Sequence, residues 1–113
     1  MEQSDAIEAL AALAQESRLE IFRLLVREEP GGLPVSEISR RLNIVPSTLS
    51  GHLALLRRAK LLRSERNKRE IIYSADFDGF AALMSFLLED CCGGRVDSCD
   101  DLVSSIRQVR AEA

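Results

Sequence analysis

The chain has 113 residues, 46% of them hydrophobic and 4% aromatic, with 18 acidic against 15 basic side chains and a net charge of −3. This is the size of one domain, with a modest aliphatic core and something to gain from dimerisation. No apolar run approaches the roughly 18 residues of a membrane span, and Met1-Glu2-Gln3-Ser4-Asp5 has neither the basic nor the apolar region of a secretory signal. With only three cysteines, an odd number, there is no disulfide framework, and a reducing, cytoplasmic setting is expected.

In chain order, Ser4 is expected to cap a first helix running to about Ala14, with Ile7, Leu10 and Leu13 along one side. Ser17-Arg18-Leu19-Glu20 is a capping box that opens a second helix carrying Leu19, Ile21, Phe22, Leu24, Leu25 and Val26. Pro30-Gly31-Gly32 ends it. A short helix spans Val35 to Leu42, with Ile38 and Leu42 inward and Glu37, Arg40 and Arg41 outward. Asn43-Ile44-Val45 forms a tight turn, and Pro46 stands where a first helical residue is best tolerated. The next helix runs from about Ser47 to Lys60, with Leu49, Leu53 and Leu56 at core spacing. Two short helices joined by such a turn form a helix-turn-helix.

The opening turns of that second helix present Ser47, Thr48, Ser50, Gly51 and His52, which are all short or hydrogen-bonding. In a DNA reader this end of the recognition helix enters the major groove and meets base edges. Capping alone would account for Ser47 and Thr48. Four polar residues and a glycine, followed by Arg57, Arg58 and Lys60, exceed what a cap needs. The charge distribution agrees. Residues 36–73 carry nine Lys/Arg against three Asp/Glu, while residues 1–35 carry three against seven and residues 74–113 three against eight. A basic middle between acidic ends is the footprint of a nucleic-acid surface.

Leu61-Leu62-Arg63-Ser64-Glu65, a turn at Arg66-Asn67-Lys68 and Arg69-Glu70-Ile71-Ile72-Tyr73-Ser74 predict a β-hairpin with a basic tip. Arg66, Lys68 and Arg69 would reach a minor groove or the backbone from there. The fold class is therefore mainly α with a two-stranded β wing, a winged helix-turn-helix. A last amphipathic helix starts near Asp76-Phe77 and carries Phe80, Leu83, Met84, Leu87 and Leu88 up to Glu89-Asp90. Gly93-Gly94 breaks it, and helix resumes from Asp100 to Val109. The expected division is a DNA-binding and dimerisation domain over residues 1–92 and a tail over residues 93–113. No Ser/His/Asp or Cys/His arrangement, phosphate-binding glycine loop or paired carboxylate pocket suggests an enzyme.

The stretches Leu13-Ala14-Gln15-Glu16-Ser17-Arg18-Leu19-Glu20-Ile21, Val35-Ser36-Glu37-Ile38, Leu49-Ser50-Gly51-His52-Leu53-Ala54-Leu55-Leu56 and Arg69-Glu70-Ile71-Ile72-Tyr73 resemble the ArsR/SmtB family of metal-sensing winged-helix repressors, over residues 10–92. The resemblance implies a homodimer formed through the first and last helices, operator DNA bound by the apo-protein, and release on binding an inducer. It also implies that Ser47, Thr48, Ser50 and His52 belong to the DNA-reading helix. Where arsenic-sensing members carry cysteines on the third helix, this chain has Glu37-Ile38-Ser39-Arg40-Arg41. Where others carry paired histidines on the last helix, it has none.

All three thiols, Cys91, Cys92 and Cys99, fall within nine residues of one another. Adjacent α-carbons lie about 3.8 Å apart, below the roughly 4.4–6.8 Å of a disulfide, so Cys91 and Cys92 pair poorly with each other. Soft thiolates select soft ions, and zinc prefers four ligands. Three thiols suit a pyramidal trivalent centre, As(III) or Sb(III). Glu89, Asp90, Asp97, Asp100 and Asp101 disfavour thiolate formation, which argues against a reactive low-pKa thiol. The expected function is thus an As(III)- or Sb(III)-responsive repressor. A thiol-redox or persulfide-responsive repressor, or one responsive to cadmium or zinc, stays open on the same fold.

Overall fold

The computed structural model describes residues 1–89. Within them the chain runs α1 (Gln3–Leu13), α2 (Glu16–Arg27), β1 (Leu33–Pro34), α3 (Val35–Leu42), α4 (Pro46–Arg58), β2 (Leu62–Asn67), β3 (Glu70–Ala75) and α5 (Phe77–Leu87). The strands form one antiparallel sheet in the order β1-β3-β2.

α1 buries Ala6, Ala9 and Ala12, whereas Ile7 and Leu10 are 58% and 43% exposed. The expected inner face of Ile7, Leu10 and Leu13 is therefore corrected, since only Leu13 packs on the core. Three alanines one turn apart give a flat stripe that lets α1 lie close against α2 and α4. The cap also shifts. Asp5 accepts the Glu2 backbone N–H at 3.1 Å, which makes Glu2 the cap in place of Ser4. α2 is capped by Gln15, whose side-chain oxygen accepts the Arg18 N–H at 2.9 Å, so Ser17 lies inside the helix.

α3 and α4 match the expected helix-turn-helix closely. Asn43 takes the left-handed conformation (φ 54°) that a short-side-chain residue tolerates at a helix C-terminus. The Ser39 hydroxyl donates to the Ile44 carbonyl at 2.6 Å and pins the turn. Ile38 on α3 and Leu49, Leu53 and Leu56 on α4 are at most 1% exposed. They meet Ile21 and Leu25 of α2, Leu61, Leu62 and Leu83 in a core with no buried polar side chain among the described residues.

The sheet departs from expectation twice. β1 pairs Leu33 with Tyr73 and Pro34 with Ile72, which makes the wing three-stranded at its base. Two residues are too few to show an alternating pattern. The turn into β1 depends on Gly32, at φ +71°, where a Cβ would lie 2.4 Å from the Tyr73 carbonyl oxygen. The hairpin turn is Lys68-Arg69, not Arg66-Asn67-Lys68, because Asn67 pairs with Glu70. Two-residue hairpin turns need positive φ, normally supplied by glycine or asparagine. Here Lys68 adopts it, at 61°.

α4 and α5 are locked together at their ends. Lys60 and Leu61 donate to the Arg57 and Leu56 carbonyls, each at 3.0 Å, closing α4 with Lys60 at φ 64°. The Asp76 side chain accepts the Gly79 N–H at 3.0 Å and caps α5. A Cβ on Gly79 would lie 1.8 Å from the Lys60 carbonyl oxygen, so only glycine allows this approach. Phe22 and Phe80, with ring centroids 5.4 Å apart, join α2 to α5. The glycine break, the resumed helix and the three cysteines of the sequence analysis lie outside the described residues.

Candidate nucleic-acid interface

The first turns of α4 are set apart by what they lack. α1, α2, α3 and α5 each place an acidic residue in the first turn, respectively Asp5, Glu16, Glu37 and Asp78. α4 has none, and Val45 at its N-cap makes no side-chain cap bond. Among the described residues no side chain of its first turn compensates the positive end of its dipole, an arrangement compatible with a phosphate-facing helix. Ser47, Thr48 and Ser50 are exposed and have no side-chain hydrogen bond among the described residues. Gly51 is exposed too, and a Cβ built there would meet nothing within 4 Å. A helical glycine costs about 1 kcal/mol against alanine, and no packing among the described residues requires it.

His52 is different. It is half-buried, and Arg18 Nη1 lies 3.4 Å from its Nδ1. At 100° per residue His52 falls toward the Leu49–Leu56 side, not on the outer stripe of Ser47 and Gly51. Arg18 also donates through Nε to the Ala12 carbonyl at 2.7 Å. One guanidinium therefore ties the last turn of α1 to α4. A cation in the first turn of α2 opposes the helix dipole, whereas beside the C-terminal carbonyls of α1 it is favoured. Arg18 is the site residue that sequence reasoning missed. Its only trace in the sequence is that unfavourable local placement.

Beyond α4, Arg57 donates to the Ser64 hydroxyl at 2.9 Å and braces α4 against the wing. Arg58 lies 3.9 Å from the Glu8 carboxylate on α1. At the wing tip Arg66 Nε donates to the Lys68 carbonyl at 3.2 Å, and Arg66, Lys68 and Arg69 are all exposed. The charges of α3 are held among themselves: Glu37 pairs with Arg40 and Arg41, and Arg41 also pairs with Glu28. Hydrogen bonds from Arg40, then Arg41, lower the Glu37 carboxyl from 4.5 to about 2, and Glu37 in turn raises both arginines.

The structure thus gathers Ser47, Thr48, Ser50 and Gly51 on one exposed surface, turns His52 toward the interior, and sets Arg66, Lys68 and Arg69 on a separate projection. Among the described residues no three His, Cys, Asp or Glu side chains come together as a metal site, and no helix is long and apolar enough to cross a membrane.

A family profile described as a helix-turn-helix domain matches residues 13–65. The transcriptional activator HlyU of Vibrio cholerae is 35% identical over 82 residues, covering 73% of each chain. The HTH-type transcriptional regulator YbzH of Bacillus subtilis is 33% identical over 97 residues, covering 74% of this chain and 95% of that protein. The solved structure of HlyU from Vibrio cholerae, 33% identical, superposes with a TM-score of 0.63 over 81% of this chain and 99% of the other. These relatives are transcriptional regulators, not enzymes. The helix-turn-helix, the wing and the shared sequence together make this chain a member of the ArsR family of winged helix-turn-helix transcriptional regulators.

Proposed function

We propose that this regulator is an As(III)- or Sb(III)-responsive repressor. Its apo-dimer binds operator DNA through α4 and the wing and leaves it when the metalloid binds Cys91, Cys92 and Cys99. The observation that carries the DNA half is the uncommitted outer face of α4. Ser47, Thr48, Ser50 and Gly51 are open to solvent beside a dipole that no acidic or capping side chain neutralises among the described residues. Lys68, Arg69, Arg66 and Arg57 supply phosphate contacts, and His52 acts from the rear of the helix. Dimerisation is favoured by apolar groups left exposed on the first and last helices, Ile7 and Leu10 on α1 and Leu87 on α5. A winged helix-turn-helix domain of Mycobacterium bovis with this fold, at a TM-score of 0.63, is described as homodimeric. Two recognition helices would then meet successive major grooves about 34–36 Å apart.

The inducer follows from the donor set. Arsenite is neutral at pH 7, and it exchanges three hydroxyls for three thiols with loss of three waters and no change in charge. Neighbouring Glu89, Asp90 and Asp97 are compatible with that exchange. Repression is our reading of the regulatory sign, since the relative HlyU is named an activator. A second reading, a thiol-redox or persulfide switch, is favoured by one observation: a structure of HlyU, 33% identical, was solved explicitly as its reduced form.

The test is fluorescence anisotropy on duplexes selected from a random pool, titrated with arsenite, antimonite, zinc, cadmium and mild peroxide. Arsenite should weaken binding by roughly 5–150-fold, the usual range of allosteric coupling. The Cys91→Ser, Cys92→Ser double variant should bind DNA normally and no longer respond. An unchanged arsenite response in that variant rejects the three-thiol site. Release by peroxide without arsenite release favours the redox reading.

A further inference from the structure

We infer that Val45 is a specificity-determining residue of the DNA-reading end, where its side chain takes the 5-methyl group of a thymine. The inference rests on the proposed DNA reading and extends it to a residue outside the polar set. Val45 is 64% exposed, the most exposed large hydrophobic side chain among the described residues. Its local position gives it no reason to be there. It occupies the N-cap of α4 without making a cap bond, at a position where valine is among the poorest choices and Ser, Thr, Asp or Asn would stabilise the helix.

Gly51, two turns along, shows the same imbalance. It carries the conformational cost of a helical glycine while open space surrounds the missing Cβ. Costs that nothing among the described residues offsets point to an external partner. What that partner offers is set by neighbouring chemistry. Ser47, Thr48 and Ser50 serve donors and acceptors, whereas Val45 can serve only an apolar group. On the major-groove edge the apolar group is the thymine methyl, and the N-terminal end of a recognition helix is the part that meets base edges.

The test starts from duplexes that the wild-type protein enriches from a random pool. Each thymine is replaced singly by deoxyuridine, which removes the methyl and leaves pairing intact, and affinity is read by anisotropy. At one thymine per half-site, wild type should lose about fourfold in affinity, the value of one methyl-sized group taken out of water. Val45→Ala and Val45→Ser should bind the thymine duplex correspondingly less well and be indifferent to the uracil change. Val45→Ser should also keep or raise the thermal midpoint, which separates a reading role from a folding one. Sequence-selective binding with no uracil-sensitive thymine overturns the role of Val45 and leaves the DNA reading standing. So does an unchanged uracil sensitivity in both variants. Failure to enrich any sequence overturns both.

Discussion

α3 and α4 have opposite surfaces although both are short, amphipathic and basic at their C-terminal ends. On α3 the charges are consumed internally, because Glu37 holds Arg40 and Arg41 while Glu28 holds Arg41 from the neighbouring helix. On α4 the first two turns hold no ion pair and no capping side chain among the described residues; His52 is tied to Arg18 on the inner side, and the ties of Arg57 and Arg58 come in the last turn. Both helices anchor on wholly buried aliphatic residues, Ile38 and Leu53 among them. If α4 reads DNA as proposed, the difference teaches that charge density is not what marks a reading surface. Uncommitted donors, a dipole end without an acidic side chain and small side chains set α4 apart, while α3, with more charge per turn, is a self-satisfied brace.

What the two helices share is the first thing to break. Ile38→Ala and Leu53→Ala should each cost about 2–5 kcal/mol in urea denaturation, as expected for deleting wholly buried aliphatic groups. A much smaller cost for either would mean that its helix is not anchored in the core. Next comes the wing, which belongs with α4 by its free charges. Lys68→Ala with Arg69→Ala should weaken binding to every duplex and lower the salt slope by roughly 0.9 for each phosphate no longer neutralised. An unchanged slope would move the wing to the braced side of the comparison.

Arg18 tests whether α4 is positioned from behind. Arg18→Lys keeps the charge and loses the fork that reaches both Ala12 and His52. It should cost about 1.5 kcal/mol of stability, the lower end for a charged hydrogen bond. DNA affinity should fall as well, and adding His52→Ala should cause little further loss in a double-mutant cycle. Strict additivity would show that the two residues act separately. Gly51→Ala sharpens the contrast by separating folding from function. Stability should rise by about 1 kcal/mol while DNA affinity falls, because the added methyl occupies space that the fold leaves open.

The smallest effect belongs to α3. The Glu37 carboxyl is held at about 2 against an ordinary 4.5, so its pairing supports the fold above about pH 4.5 and is lost as the pH falls toward 2. Wild type should therefore lose urea stability relative to Glu37→Gln across that window. The difference should be slight and suppressed by salt, since the pair is at the surface. DNA affinity at neutral pH should be unchanged in this variant.

Much of this organisation was legible in the residues. α3, the turn at Asn43 and the inner face of α4 follow from apolar spacing and from Pro46, all contained within one or two turns of chain. The burial of α1 was not legible. Larger Ile7 and Leu10 outweigh Ala6, Ala9 and Ala12 in any periodicity, yet close helix packing selects the smaller residues. β1 is too short to carry a pattern, and the hairpin turn rests on a lysine in a conformation that turn rules assign to glycine or asparagine. In the site, Ser47, Thr48, Ser50 and Gly51 were visible as a polar cluster. The inward side of His52 was contained in the helical period as well, since it falls next to Leu49 and Leu56; its contact with Arg18 was not, because that partner stands 34 residues away.

By itself, then, the sequence determined the helix-turn-helix, its basic middle and the clustering of Cys91, Cys92 and Cys99, since each is a matter of composition or of spacing between near neighbours. Only the tertiary structure decided which charges of the basic middle are spent on ion pairs and which make none among the described residues. It also decided that Arg18 joins α1 to α4, and that Gly79 admits α5 to the end of α4. Such choices turn on distances between segments far apart in the chain, where one ångström separates a hydrogen bond from open solvent.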